Sequence, residues 1–137
     1  MKATLRRLSH IGFNVPRELF DKECDFWEKV MGLERIHGRD GHNAFFTADP
    51  LRDHEFILYA VDHPIEGYGH DGVVNHLAFD VATDAEVDEL TARLRSLGFD
   101  VEEPPRDRRQ NKVTSPAGIH FEINTPPYLN PRGRTDD

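Results

Sequence analysis

LSHIGFNV, residues 8–15, is the stretch whose reading decides the fold, because it returns as VNHLAFDV at residues 74–81, with His10 and His76 standing 66 positions apart. Carried forward without gaps, the same spacing sets Val30, Met31, Gly32 and Leu33 beside Ser96, Leu97, Gly98 and Phe99. It then sets Pro50 beside Pro116, His54 on His120 and Ile57 on Ile123. An echo in one strand is weak, but agreement at a strand, a helix end and a late turn identifies a duplicated unit.

Each copy reads as a strand, a helix and three short strands. In the first, an alternating strand from about Leu5 to Val15 reaches Pro16, a residue suited to the first helical turn because an N–H there has no partner anyway. The helix is expected to run to Gly32, with Leu19, Phe20, Cys24, Trp27, Val30 and Met31 on one buried face. Gly32 suits the left-handed residue that closes a helix. Strands near 33–39, 43–48 and 55–61 follow. The second copy opens its helix with TDAE, residues 83–86, where Thr83 and Glu86 can cap backbone donors reciprocally. Val87, Leu90, Leu94 and Leu97 form its buried stripe, Gly98 closes it, and strands near 100–103, 110–114 and 119–124 complete the unit. The expected class is α+β, with two tandem βαβββ modules at about 4–62 and 73–125 in one domain, residues 1–125. Residues 126–137, rich in Pro, Gly, Arg and Asp, are expected to form a mobile tail.

Composition narrows the partner. A chain of 137 residues with 37% apolar content can bury one core. Its formal charge of −8 argues against nucleic acid, which needs a dense basic face, and points to a small molecule. The single Cys24 excludes an internal disulfide framework and fits a reducing compartment. No leader-like segment opens the chain and no apolar run approaches the roughly 20 residues that span a bilayer, so a cytoplasmic protein without membrane contact is expected.

Alternation of side chains along a strand puts Ile11, Phe13 and Val15 on one face and His10, Gly12 and Asn14 on the other. The second copy divides in the same way, with His76, Ala78 and Asp80 opposite Leu77, Phe79 and Val81. In the last strand Phe121 and Ile123 take the helix side, leaving Glu122 with the histidines. Taken singly, each of the three has a bland explanation, a hydrogen-bonded histidine or a solvated glutamate. The repeat makes the histidines equivalent and the carboxylate falls on their face. Two imidazoles and one carboxylate form a facial triad that holds Fe(II) or a similar ion and leaves positions open for other ligands.

The strand LSHIGFNV, the helix end FWEKVMGLE and the closing SPAGIHFEIN resemble the vicinal oxygen chelate superfamily of glyoxalase I, type I extradiol dioxygenases, fosfomycin resistance and bleomycin-binding proteins. The resemblance extends to about Thr125. It implies paired modules forming an open, mixed-sheet barrel around one divalent metal ion, held here by His10, His76 and Glu122. It also implies a homodimer, in some members with ligands drawn from two chains, and both arrangements stay open.

Glyoxalase-type members add a fourth ligand on the last strand of the first module. The gapless spacing puts Phe56 there, and a slip of two residues gives Leu58, neither of which binds metal. Glu55 falls on the opposite face unless the register shifts by one. The segment DPLRDHEFILYA, residues 49–60, is similar to the extradiol strand that carries an acid–base histidine, which makes His54 the catalytic candidate. Phe56, Leu58 and Lys112 are expected to contact substrate. Lys112 stands where extradiol enzymes commonly carry a tyrosine, and Arg106, Arg108 and Arg109 where they tend to carry a histidine, which points to an acidic catechol. Surface solvation is the plainer account of these four. His37, His42, His63, His70 and Tyr68 are expected in or near loops, the stretch 62–72 crossing between modules. The leading expectation is an Fe(II) extradiol-type dioxygenase acting on a catechol-like substrate. The alternatives are a lyase, isomerase or thiol transferase using Mn(II), Ni(II) or Zn(II), and a metal-free binding protein of the bleomycin-resistance kind.

Overall fold

A computed structural model of the chain describes residues 2–49, 53–65, 72–105 and 110–125. His70, Tyr68, Arg106, Arg108, Arg109 and the 126–137 tail lie outside the described residues. The chain divides into two compact units, Met1–Ile65 and Glu66–Asp137, each built on a four-stranded mixed sheet, and each is described by itself.

In the first unit β1 (Ile11–Pro16) lies parallel to β4 (Phe56–Val61), followed by β3 (Asn43–Thr47) and β2 (Glu34–Arg39), both antiparallel to their neighbours. β1 begins at Ile11 and not at Leu5, because a strand lasts only as long as its ladder. The Ile11 N–H donates to the Glu55 carbonyl (2.9 Å), one residue before β4 starts. Leu5 and Leu8 are exposed.

The expected helix is instead three consecutive helical pieces. A 3-10 turn (Arg17–Leu19) leads into α1 (Phe20–Asp25), and a π-helical turn (Phe26–Val30) follows. In that wide turn Met31 N–H bonds to the Phe26 carbonyl five residues back (2.9 Å), and the adjacent Phe26 and Trp27 are both buried. Trp27 Nε1 donates to Glu23 Oε2 (2.8 Å), which supplies the partner that a buried carboxylate requires. Gly32 ends the helical segment at φ +78°, as its position in the repeat predicts.

In the second unit β5 (Leu77–Asp80) lies parallel to β8 (His120–Asn124), with β7 (Gln110–Thr114) and β6 (Val101–Glu102) beyond it. α2 (Asp84–Ser96) connects β5 to β6. Thr83 Oγ1 accepts from Glu86 N–H (3.2 Å), while Glu86 Oε2 accepts from Ala82 N–H (2.7 Å), so the reciprocal cap forms one residue wider than expected. Val87, Thr91 and Leu94 make the buried stripe, and Leu97 is exposed. Gly98, at φ +89°, matches Gly32.

The two units agree except in one respect that decides the site. Ile11 pairs with Phe56, 45 residues on, whereas Leu77 pairs with Phe121, 44 residues on. Phe56 therefore corresponds to Phe121, and Ile57 corresponds to Glu122. The gapless spacing holds for the first strand and the helix end but is one residue out in the last strand. Such a slip moves every side chain to the other face.

Candidate metal centre

In the second unit the face turned away from α2 carries Ala78 on β5, His120 and Glu122 on β8, Thr114 and Lys112 on β7 and Glu102 on β6, set in cross-strand rows. His76, just before β5, closes the group. His76 Nε2 lies 3.2 Å from Glu122 Oε2, and His76 Nδ1 lies 2.7 Å from Asn75 Oδ1. The Asn75 oxygen can only accept, so Nδ1 carries the proton and the Nε2 lone pair points at the carboxylate. Nε2 then meets the carboxylate as a lone pair with a metal ion between them or as a second donor of the doubly protonated ring, and with the Asn75 amide turned over an ordinary Nε2–H···Oε2 hydrogen bond forms instead. Ligands about 2.1 Å from one ion and about 100° apart stand about 3.2 Å from each other, so the spacing fits coordination. Asn75 supplies the outer hydrogen bond that metal-bound histidines characteristically make.

His76, Glu122, His120, Thr114, Lys112 and Glu102, together with Asp100, line a groove of about 250 Å³. Lys112 lies cross-strand from both Glu122 and Glu102, and His120 Nδ1 is 3.0 Å from Thr114 Oγ1. The groove thus combines one carboxylate–imidazole pair with Lys112 and the Thr114 hydroxyl, beside two further carboxylates, Asp100 and Glu102.

His10 belongs to the first unit, where Ser9 Oγ stands 3.1 Å from its Nδ1. Ser9 and Asn75 occupy the same position in the repeat, so each histidine has a hydrogen-bonding neighbour at Nδ1 and keeps Nε2 available. Reading the strands for ligands alone overlooks this pair, although the two copies carry it in plain view. The His54 ring packs 5.0 Å from the His10 ring and 5.0 Å from Phe45.

Phe56 and Leu58 do not take the positions expected of them. Phe56 packs 4.7 Å from Trp27 and 5.5 Å from Phe13, and both Phe56 and Leu58 are buried in the helix-side core. The one-residue slip in β4 is the physical reason, and it removes both from the substrate-contacting set. Ile57, opposite Gly12 and Phe45, takes the position equivalent to Glu122. Glu55 is engaged elsewhere, its Oε1 accepting from Thr47 Oγ1 (2.8 Å) and Ala48 N–H (3.0 Å). A fourth carboxylate ligand is therefore absent at the equivalent position, now because of Ile57.

The family model described as Glyoxalase/Bleomycin resistance protein/Dioxygenase superfamily matches residues 7–123. The chain belongs to this superfamily. It is similar to a possible glyoxalase from Bacillus cereus, with 22% identity and TM-score 0.69 over 88% of this chain and 99% of the other. It is also similar to the fosfomycin resistance protein FosX from Listeria monocytogenes, with 25% identity and TM-score 0.67 over 89% and 94%. A lactoylglutathione lyase from Agrobacterium tumefaciens matches at 21% identity and TM-score 0.62 over 90% and 96%. No match is found among curated proteins. Among the described residues no helix is long and apolar enough to cross a membrane.

Proposed function

We propose that the chain is a divalent-metal-dependent enzyme for a small anionic substrate that presents two adjacent oxygens, with His10, His76 and Glu122 as the metal ligands and a homodimer as the working form. The observation that carries this reading is the 3.2 Å approach of His76 Nε2 to Glu122 Oε2, with Nδ1 tied to Asn75. A divalent ion held there supplies a Lewis acid with open positions for substrate oxygens. Lys112, across from Glu122, attracts and orients the substrate's negative charge. Ile57 keeps the corresponding place in the first unit apolar.

Within this class, extradiol cleavage of a catechol-like substrate is the reading that His54 supports. Its ring lies against His10 and is mostly buried, where an imidazole can take a phenolic proton and later return it. Catechol and O2 combine into one ring-opened acid that keeps both oxygen atoms, so no outside reductant is required, and Fe(II) would be the ion. The similarity to FosX favours a second reading, addition or isomerisation without oxygen, with Mn(II), Ni(II) or Zn(II).

Chelator-stripped protein reloaded anaerobically with Fe(II), then given a panel of acidic catechols and air, should form a yellow ring-opened product. The same protein with Mn(II), Ni(II) or Zn(II) should be tested on fosfomycin with water or thiols, and on the methylglyoxal–glutathione adduct. Glu122→Gln and His76→Ala should lower affinity for the ion 10- to 100-fold or more. Retention of full affinity in both variants would sink the assignment of the ligands. Turnover only in the second set would replace the dioxygenase reading.

A further inference from the structure

The ladder between β2 and β3 slips at Ile36, so that Arg35 faces Phe46 and His37 faces Phe45. In an unbroken ladder Ile36 would face Phe45, and His37 would face Ala44, whose partner Leu58 belongs to the helix-side core. The bulge turns His37 to the other face of the sheet, a characteristic use of an extra residue in a strand. There its ring lies 4.4 Å from Phe45 and 5.7 Å from His54. His54 Nδ1 lies 3.2 Å from Asp53 Oδ1, and one donor atom each from His37, Asp53 and His54 fall within 4.8 Å of one another.

The burial of His54 adds to this. His54 Nδ1 is a buried nitrogen that faces Asp53 Oδ1 at 3.2 Å without a well-formed hydrogen bond. A buried polar atom left in that state is costly, and a cation bridging it to Asp53 would remove the cost. Three donors about 2.1 Å from one ion stand roughly 3.0–3.6 Å apart. The Asp53–His54 pair already meets that spacing, and His37 and Asp53 are both exposed, so small side-chain rotations close the remainder.

We propose that His37, Asp53 and His54 form a second divalent-cation site, confined to the first unit and separate from the His10, His76 and Glu122 set. Two imidazoles and one carboxylate suit Zn(II), Co(II) or Ni(II) better than Mg(II) or Ca(II). Occupation ties the bulge of β2 to the segment entering β4 and takes the His54 lone pair, so a filled site excludes the acid–base role of this ring.

Chelator-stripped full-length protein is titrated with Zn(II) in a calorimeter and with Co(II) by visible absorption. The wild type should take up two equivalents. His37→Ala and Asp53→Asn, each at an exposed position, should remove one equivalent or weaken it at least tenfold, with the far-UV circular dichroism unchanged. His76→Ala should remove the other and leave this one in place, which separates failure of this site from failure of the proposed catalytic centre. In 1H–15N spectra tuned to imidazoles, the His37 and His54 rings should shift with the same equivalent. No uptake by the wild type, or uptake that His37→Ala and Asp53→Asn both leave undiminished, overturns the proposal, whereas a single equivalent lost in these variants and kept in His76→Ala overturns the catalytic centre alone.

Discussion

Arg17 illustrates how single side chains bind distant segments of the first unit. Its guanidinium donates to Asp62 Oδ1 (2.7 Å) and to the Gly41 carbonyl (2.6 Å), joining the start of the helical segment to the end of β4 and to the β2–β3 turn. The hydrogen bond from Arg17, with its charge, holds the Asp62 carboxyl below its ordinary value of 3.8. A carboxylate lowered in this way contributes stability that is present above the ordinary value and is lost as pH falls through the folded-state value. Asp62→Asn should therefore lower the urea midpoint slightly at pH 7, and the difference from wild type should shrink as pH falls below the ordinary value of 3.8. A difference that grew in acid would contradict the pairing. Burial, by contrast, pushes the Cys24 thiol up to about 11, which keeps it neutral and marks it as a packing residue.

Among the elements, helix ends were the most legible features. Gly32 and Gly98 both adopt positive φ where the repeat placed them, because only a residue without Cβ turns that corner cheaply. The side on which each first strand packs was legible too, since Phe13 and Val15 are buried as their alternation requires. The bulge at Ile36, the π turn at Phe26–Val30 and the slip in β4 were not. Each inserts or removes one residue's worth of phase, and hydrophobic pattern reports phase only over longer runs. For this reason the pattern puts His37 only in or near a loop, and puts Phe56 and Leu58 on the face opposite to the one they occupy. The hairpin after the bulge depends on Gly38, at φ +145°, where a Cβ would come within 2.5 Å of the Asn43 carbonyl oxygen. Gly38→Ala should lower stability by about 1–3 kcal/mol in urea unfolding. It should also reduce zinc uptake by His37, Asp53 and His54, while His76 and Glu122 in the other unit retain theirs. A neutral effect on stability would show that the hairpin relaxes freely.

At the scale of the whole molecule, the charge of −8 opposes the approach of the anionic substrate proposed for it. Lys112 must then work against a repulsive average field. Such repulsion is screened over about 10 Å at 0.1 M salt. For an acidic substrate, kcat/KM should rise between low and physiological ionic strength, the reverse of a cationic, steering active site. Lys112→Met should raise KM while leaving metal content unchanged. A rate that falls with salt in the wild type would point to an uncharged or cationic substrate.

The single-residue difference in length between the two copies, from first strand to last, has a historical reading as well. Loss or gain of one codon in a connecting loop leaves helix, sheet order and core untouched, with Phe56 and Phe121 both kept inward, yet ends the 66-residue correspondence along the last strand. Once the halves differ by one such step, matching mutations in them no longer have matching effects: a carboxylate gained at 56 would burden a core, and one gained at 57 would enter the face that Glu122 already occupies in its own half.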